Sequence, residues 1–290
     1  MGRGPRPTVR KPPAAKPKTD PTPGQPTTYG ASDMDYNDYL MVPELLGLQR
    51  PLSKPAHHDE MLFIIIHQAF ELWFKLQIHE LEAAIQAMLA GDARRARHAM
   101  ARVTAVQRLL THQIHLLETM TPVEFLQFRD HLKPASGFQS LQFREIEFIA
   151  GLKDEAYLAF FRERPLVLDR LQARIGEADV ASAYFTLLRA RGFRVPTDPK
   201  ADPDGTTRAL VPVFEAPDEH PELYALSEAL LDFDEAFALW REHHVRVVER
   251  IIGFKRGTGG SSGAAYLRQT TTKRFFPFLW DVRTRLGEPA

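Results

Sequence analysis

The sequence predicts an all-α protein of long antiparallel helices. Residues 59–90 run for 32 positions without a glycine or proline, and residues 222–252 do so for 31. Elsewhere, helix-start signals recur, and no run alternates apolar and polar residues as a half-buried strand would.

The elements follow in order. At about 1.5 Å per residue the 59–90 stretch is a rod of roughly 45 Å. Its first half is apolar nearly all round, the mark of a buried helix, and its second half is amphipathic. Gly91 stops it, and Asp92 caps a helix running to about Met120. Thr121-Pro122-Val123-Glu124 then combines a capping threonine, a proline at the first helical position and a glutamate that closes a capping box. That helix must end before Pro134. Ser136-Gly137 makes a turn, another helix begins within 138–152, and shorter helices fit 154–162, 165–176 and 178–190. Residues 192–221, rich in Pro, Asp and Gly, read as an irregular excursion whose Val211–Phe214 stretch is a short strand or an unrecognised helix. Pro221 opens the second long helix, which ends at Gly253. A Gly/Ser-rich loop to Gly263 follows, then a last helix or pair over 264–286 interrupted near Pro277.

Composition narrows the chemistry. The 290 residues include no cysteine, which excludes a disulfide scaffold, thiolate metal sites, a cysteine nucleophile and thioether-linked haem. Charge balances at 37 basic and 37 acidic residues, so no global field steers the chain to nucleic acid or membrane. The balance is uneven. Residues 1–29 hold six Lys/Arg, one acid and eight prolines with little to bury, and read as a disordered basic tail. Residues 30–290 form one helical domain of net charge −5. The tail lacks the apolar core of a secretory signal, and its prolines forbid an amphipathic targeting helix. No stretch reaches about 18 uninterrupted apolar residues, so no membrane span is predicted and the cytoplasm is the expected compartment.

Several residues bear on chemistry. His67 lies in Leu-Phe-Ile-Ile-Ile-His-Gln-Ala-Phe, on a helix too apolar to face water. A neutral imidazole there needs partners for both nitrogens and suits a ligand hydrogen bond better than a charge. His243 and His244 are adjacent on the second long helix, about 100° apart, so at most one faces inward. His112 and His115 share a face at i,i+3 among polar neighbours, which reads as a solvated face. His79-Glu80 begins a zincin pattern that fails at Ala83, and the Glu-x-x-His of di-iron bundles is absent. An iron carried by a single histidine, as in haem proteins, survives. The loop Gly257-Thr258-Gly259-Gly260-Ser261-Ser262-Gly263 is no P-loop, yet its amides and hydroxyls could fold over a polar ligand. Arg129 could pair with Asp130 or clamp a carboxylate.

Five blocks resemble one family in order: Tyr36-Asn37-Asp38-Tyr39-Leu40, residues 57–75, residues 128–147, residues 240–268 and residues 275–283. Over about residues 30–285 the chain resembles the tryptophan 2,3-dioxygenases, haem enzymes that open the indole ring of L-tryptophan. The tail and the 192–221 excursion carry no resemblance. It implies a helical homotetramer with one non-covalent haem b per protomer, and cleavage of the indole C2–C3 bond by O₂ to N-formyl-L-kynurenine, the first step of tryptophan breakdown by the kynurenine route. It implies His244, in Trp-Arg-x-x-His, as the axial iron ligand, and His67 as the catalytic acceptor of the indole N–H. Arg129 would bind the substrate carboxylate, Thr258 the amino-acid end, and Phe63 the indole. Phe125 stands where some relatives carry a tyrosine that adds a bond to the carboxylate. Ser136 and Gly137 would lie over the haem edge, and Tyr36, Tyr39 and Leu40 would complete a neighbouring protomer's site. Rival expectations are a haem oxygenase of the same fold inserting one oxygen into a substituted indole or tyrosine, a haem or tryptophan sensor, and a bundle without cofactor.

Overall fold

A computed structural model describes residues 35–288, all of whose regular elements are helical. The tail predicted over 1–29 lies outside the described residues. The chain divides into two units, Met1–Arg50 and Pro51–Ala290. In the first, α1 (Tyr36–Leu40) is capped by the Asp35 carboxylate, which accepts from the Asp38 amide at 2.8 Å. Met41, at φ 52°, separates it from α2 (Val42–Leu46). Tyr36, Tyr39 and Leu40 are exposed.

In the second unit, α3 (His58–Leu89) and α4 (Ala93–Ile114) form the antiparallel pair expected around Gly91. Gly91 adopts φ +81°, the left-handed conformation that glycine takes without strain, and the Asp92 carboxylate caps α4 through the Arg95 amide at 2.8 Å. A single 3₁₀ turn over His115–Thr119 ends that arm. The capping box at Thr121 and Glu124 forms as read and starts α5 (Pro122–Arg129). After the Ser136–Gly137 turn come α6 (Leu141–Ala150), a 3₁₀ stretch over Glu155–Phe161, α7 (Pro165–Gly176) and α8 (Val180–Ala190).

Of the two alternatives left open within the 192–221 excursion, the helix holds and the strand does not. Residues 203–215 form α9 (Pro203–Glu215), and Val211–Phe214 belong to it, not to a strand. Asp202 caps it through the Gly205 amide at 2.8 Å, and Leu210 and Val213, one turn apart, are buried. Pro212 sits inside and costs one backbone bond, which the buried face offsets. The second long helix, α10 (Pro221–Ile252), packs along α4, which also packs on α3. Two short helices, α11 (Ala264–Thr270) and α12 (Pro277–Arg285), finish the chain on either side of the predicted break.

The main core lies where α4 meets α3 and α10, with Leu81, Met88, Met100, Leu110, Leu226 and Leu230 almost fully buried. Arg174 of α7 ties three helices together. It donates to Glu145 of α6 at 3.0 Å, to Glu177 at 2.7 Å and to Glu82 of α3. The first half of α3 is less covered than its composition predicts. By length and composition the whole helix His58–Leu89 could cross a membrane, and only 28% of its most apolar window is buried in one chain. Met61, Ile65 and Leu72 make an exposed stripe at helical spacing.

Candidate active site

Between α3, α5, α6, α10 and the loop after α10 lies a cavity of about 1600 Å³, counting the solvent at its mouth. One stripe of α3 supplies Phe63, His67, Phe70, Glu71 and Phe74. The capping box fixes the start of α5, and one turn apart on that helix Phe125 and Arg129 face the same space. From α10 come Trp240, Arg241 and His244. Ser136, Gly137, Gly257, Thr258 and Ser261 close one end. Eight residues singled out from the sequence, namely Phe63, His67, Phe125, Arg129, Ser136, Gly137, His244 and Thr258, thus line one cavity.

The histidine pair resolves by partner. His243 turns away from the cavity and its Nδ1 meets His115 Nε2 at 3.0 Å, while His115 Nδ1 meets Glu118 at 2.9 Å. His112 is exposed as expected, but His115 is not simply solvated: it is engaged on both nitrogens. His244 faces the cavity, stacks obliquely on Trp240 at 5.0 Å, and hydrogen-bonds to no described residue. Burial, with a smaller repulsion from His67, pushes its pKa down to about 4, so it is neutral with a free nitrogen lone pair.

His67 is held differently. Its Nδ1 lies 2.7 Å from the Phe63 carbonyl, which can only accept, so Nδ1 carries the proton and Nε2 is an acceptor. Burial pushes its pKa below the usual histidine range, against opposing pulls from that carbonyl and from Glu71. Phe63 packs on the imidazole with centroids 4.1 Å apart and on Phe125 at 5.7 Å, an aromatic wall beside the acceptor.

Arg129 does not pair with Asp130, whose carboxylate is bound by Lys133 at 2.7 Å. Its Nη2 donates to the Arg256 carbonyl, and its buried Nε has no acceptor. That bond brings the loop onto α5. Thr258 Oγ1 donates to the Ala135 carbonyl at 2.5 Å, and a Cβ on Gly259 would come within 2.6 Å of Ser136 Cβ, so only glycine permits this approach. The loop is a cavity wall, not a bare linker.

A buried ionic group went unread in the sequence. Glu147 of α6 accepts from Arg144 and, at 2.9 Å, from Arg241 of α10. Arg241 also donates to the Lys273 carbonyl at 2.7 Å. Two guanidinium groups share one carboxylate, leaving one wall of the cavity with an excess positive charge. Glu147 following Arg144 at i+3 is a visible helical pair, but Arg241 joins it only through packing.

Among the described residues, an all-helical fold thus brings an unpartnered neutral imidazole, a second imidazole presenting an acceptor and a cationic wall to one large cavity, the donor set of a cofactor-binding helical protein. Comparison with known proteins narrows this. The family model described as tryptophan 2,3-dioxygenase matches residues 24–201 and 203–286. The chain is 46% identical over 260 residues to a tryptophan 2,3-dioxygenase of Nocardioides sp. (strain ATCC BAA-499 / JS614), covering 88% of this chain and 96% of the relative. It is 43% identical over 267 residues to one from Serratia proteamaculans (strain 568), covering 88% and 94%, and 42% identical over 264 residues to one from Caulobacter vibrioides, covering 88% and 100%. The chain belongs to the tryptophan 2,3-dioxygenase family. The match also runs through the 192–221 segment, correcting the expectation that it stands outside the resemblance.

Proposed function

We propose that the chain is a haem-dependent dioxygenase that cleaves the indole C2–C3 bond of L-tryptophan with O₂ to give N-formyl-L-kynurenine. The observation that carries this reading is the convergence on one cavity of a partner-free His244, an acceptor at His67 Nε2 and a guanidinium with an unspent donor at Arg129.

The donor set suits a haem. His244 Nε2 or Nδ1 offers a neutral lone pair, and the absence of cysteine leaves the group non-covalent, as in haem b. Arg144 and Arg241 would face its carboxylates, and Ser136 and Gly137 its edge. When bound, the haem supplies the iron that activates O₂.

The protein residues do the rest. Arg129 clamps the substrate carboxylate, with Thr258 beside the amino-acid end. Phe63 and Phe125 wall the indole, and His67 Nε2 accepts the indole N–H. Holding both ends of the zwitterion turns a multi-component encounter into a nearly unimolecular step. Oxygen adds across C2 and C3, the bond between them breaks, and no net proton leaves the indole nitrogen, so His67 orients and polarises without acting as an obligatory base. Phe125, which has no hydroxyl, leaves the carboxylate to Arg129 and the loop.

His67→Ala tests the assignment. Removing one neutral hydrogen bond should cost about 0.5–1.5 kcal/mol, roughly 2- to 13-fold in kcat/KM. Complete loss of turnover with haem and L-tryptophan still bound would show an essential base instead.

A homotetramer, with Tyr36, Tyr39 and Leu40 entering a neighbour's site, accounts for the apolar stripe of α3 and for three exposed apolar side chains on α1. Light scattering should give four times the 33.0 kDa chain mass. Deleting residues 1–29 should leave the number of chains per assembly and KM unchanged, and deleting 1–40 should raise KM. A monomer in solution, or equal behaviour of both truncations, would refute the shared site.

A further inference from the structure

We propose that Glu71 is a positioning residue for the ring cleavage: its carboxylate, pinned by Gln142 one helical turn beyond His67, strengthens the hydrogen bond that His67 accepts from the indole N–H as that N–H becomes more positive. The proposal rests on the placement of the indole nitrogen at His67 described above.

Glu71 follows His67 at i+4 on the stripe of α3 that lines the cavity, about 6 Å further along the helix axis. One amide holds it. Gln142 Nε2 of α6 donates to Glu71 Oε2 at 2.8 Å and to the Glu71 backbone carbonyl at 2.8 Å, so side chain and helix are gripped together. The other charged groups facing the cavity are accounted for. Arg129 bonds the loop, Arg144 and Arg241 share Glu147, and His244 is neutral. Glu71 has no cationic partner among the described residues, so its charge acts on the cavity without local neutralisation.

The chemistry explains why a negative charge is useful there. Attack of oxygen on C2–C3 withdraws electrons from the indole, and the nitrogen shares the resulting positive charge. A carboxylate one helical turn from the accepting imidazole, facing the same cavity, stabilises that state more than the ground state and therefore raises kcat more than it lowers KM. The same field pulls the His67 pKa upward against burial.

The test uses holoenzyme with Glu71→Gln, His67→Ala and the double variant, each checked for haem content and oligomeric mass. Glu71→Gln keeps an acceptor for Gln142 and should lower kcat for L-tryptophan about two- to fourfold, less than His67→Ala does, with KM unchanged within error. In the His67→Ala background the same change should cost little. The acid limb of kcat, where His67 gains a proton and ceases to accept, should move to lower pH in Glu71→Gln, because the group that raises its pKa is gone. Glu71→Asp should restore part of kcat. Gln142→Ala, which frees the carboxylate without removing it, should show a partial loss and carries the test if Glu71→Gln does not fold. An equal loss with and without His67, or an unmoved acid limb, overturns the proposal for Glu71. A wild-type kcat in His67→Ala overturns the indole placement on which it rests.

Discussion

Arg129→Ala is expected to lower kcat/KM for L-tryptophan by about 2–5 kcal/mol, roughly 30- to 5,000-fold, because it leaves a substrate carboxylate in the cavity without its countercharge. Arg129 rides at the end of a helix whose start is locked by the Thr121–Glu124 capping box and whose apolar residues Phe125 and Phe128 are buried, so its position is set by packing. Asp130 does not compete for it, being held by Lys133. Arg129→Lys keeps the charge but loses the planar fork, and should recover only part of the loss. The control is tryptamine, which lacks the carboxylate. It should be a poor substrate for the wild type and lose little further in the variant. Because Arg129 also bonds the Arg256 carbonyl, disturbance of the loop would lower both substrates together. Equal fold-losses would therefore show that Arg129 holds the loop or the haem and not the substrate.

His244→Ala should abolish most haem binding, seen as loss of the Soret band in protein that remains helical and keeps its oligomeric mass. No other imidazole nitrogen in the cavity is both neutral and unbonded on each side. His67 has committed Nδ1 to the Phe63 carbonyl, and His243 has turned to His115. His243→Ala should keep its haem and lose only the exchange with His115, a stability cost of about 1 kcal/mol. The reverse pattern would move the iron to the wrong histidine.

The two long helices, the Thr121 start, Gly91 and the closing pair of helices are legible in the sequence, because each depends on residues within a turn or two of one another. The stripe bearing Phe63 and His67 is legible for the same reason. Contacts between distant segments are not. Adjacent positions on α10 must diverge, but only the packing of α10 on α4 decides that His243 meets His115, 128 residues away, and that His244 turns inward. Arg241 reaches Glu147 across 94 positions, and Gln142 reaches Glu71 across 71. The segment left open between strand and helix is α9, where Pro212 and the run of Asp, Gly and Thr look like loop chemistry. There the burial of Leu210 and Val213 and the cap at Asp202 outweigh propensity. The resemblance to a known family named His244 before geometry could, while composition and spacing left the pair open.

The most direct test is the mass of the product formed when the haem-loaded protein turns over L-tryptophan under O₂. Cleavage of the indole predicts one product carrying both atoms of a single O₂, heavier than L-tryptophan by two oxygens, with both heavy when ¹⁸O₂ is supplied. A product that gains one oxygen, or L-tryptophan recovered unchanged beside a normal Soret band, would contradict it.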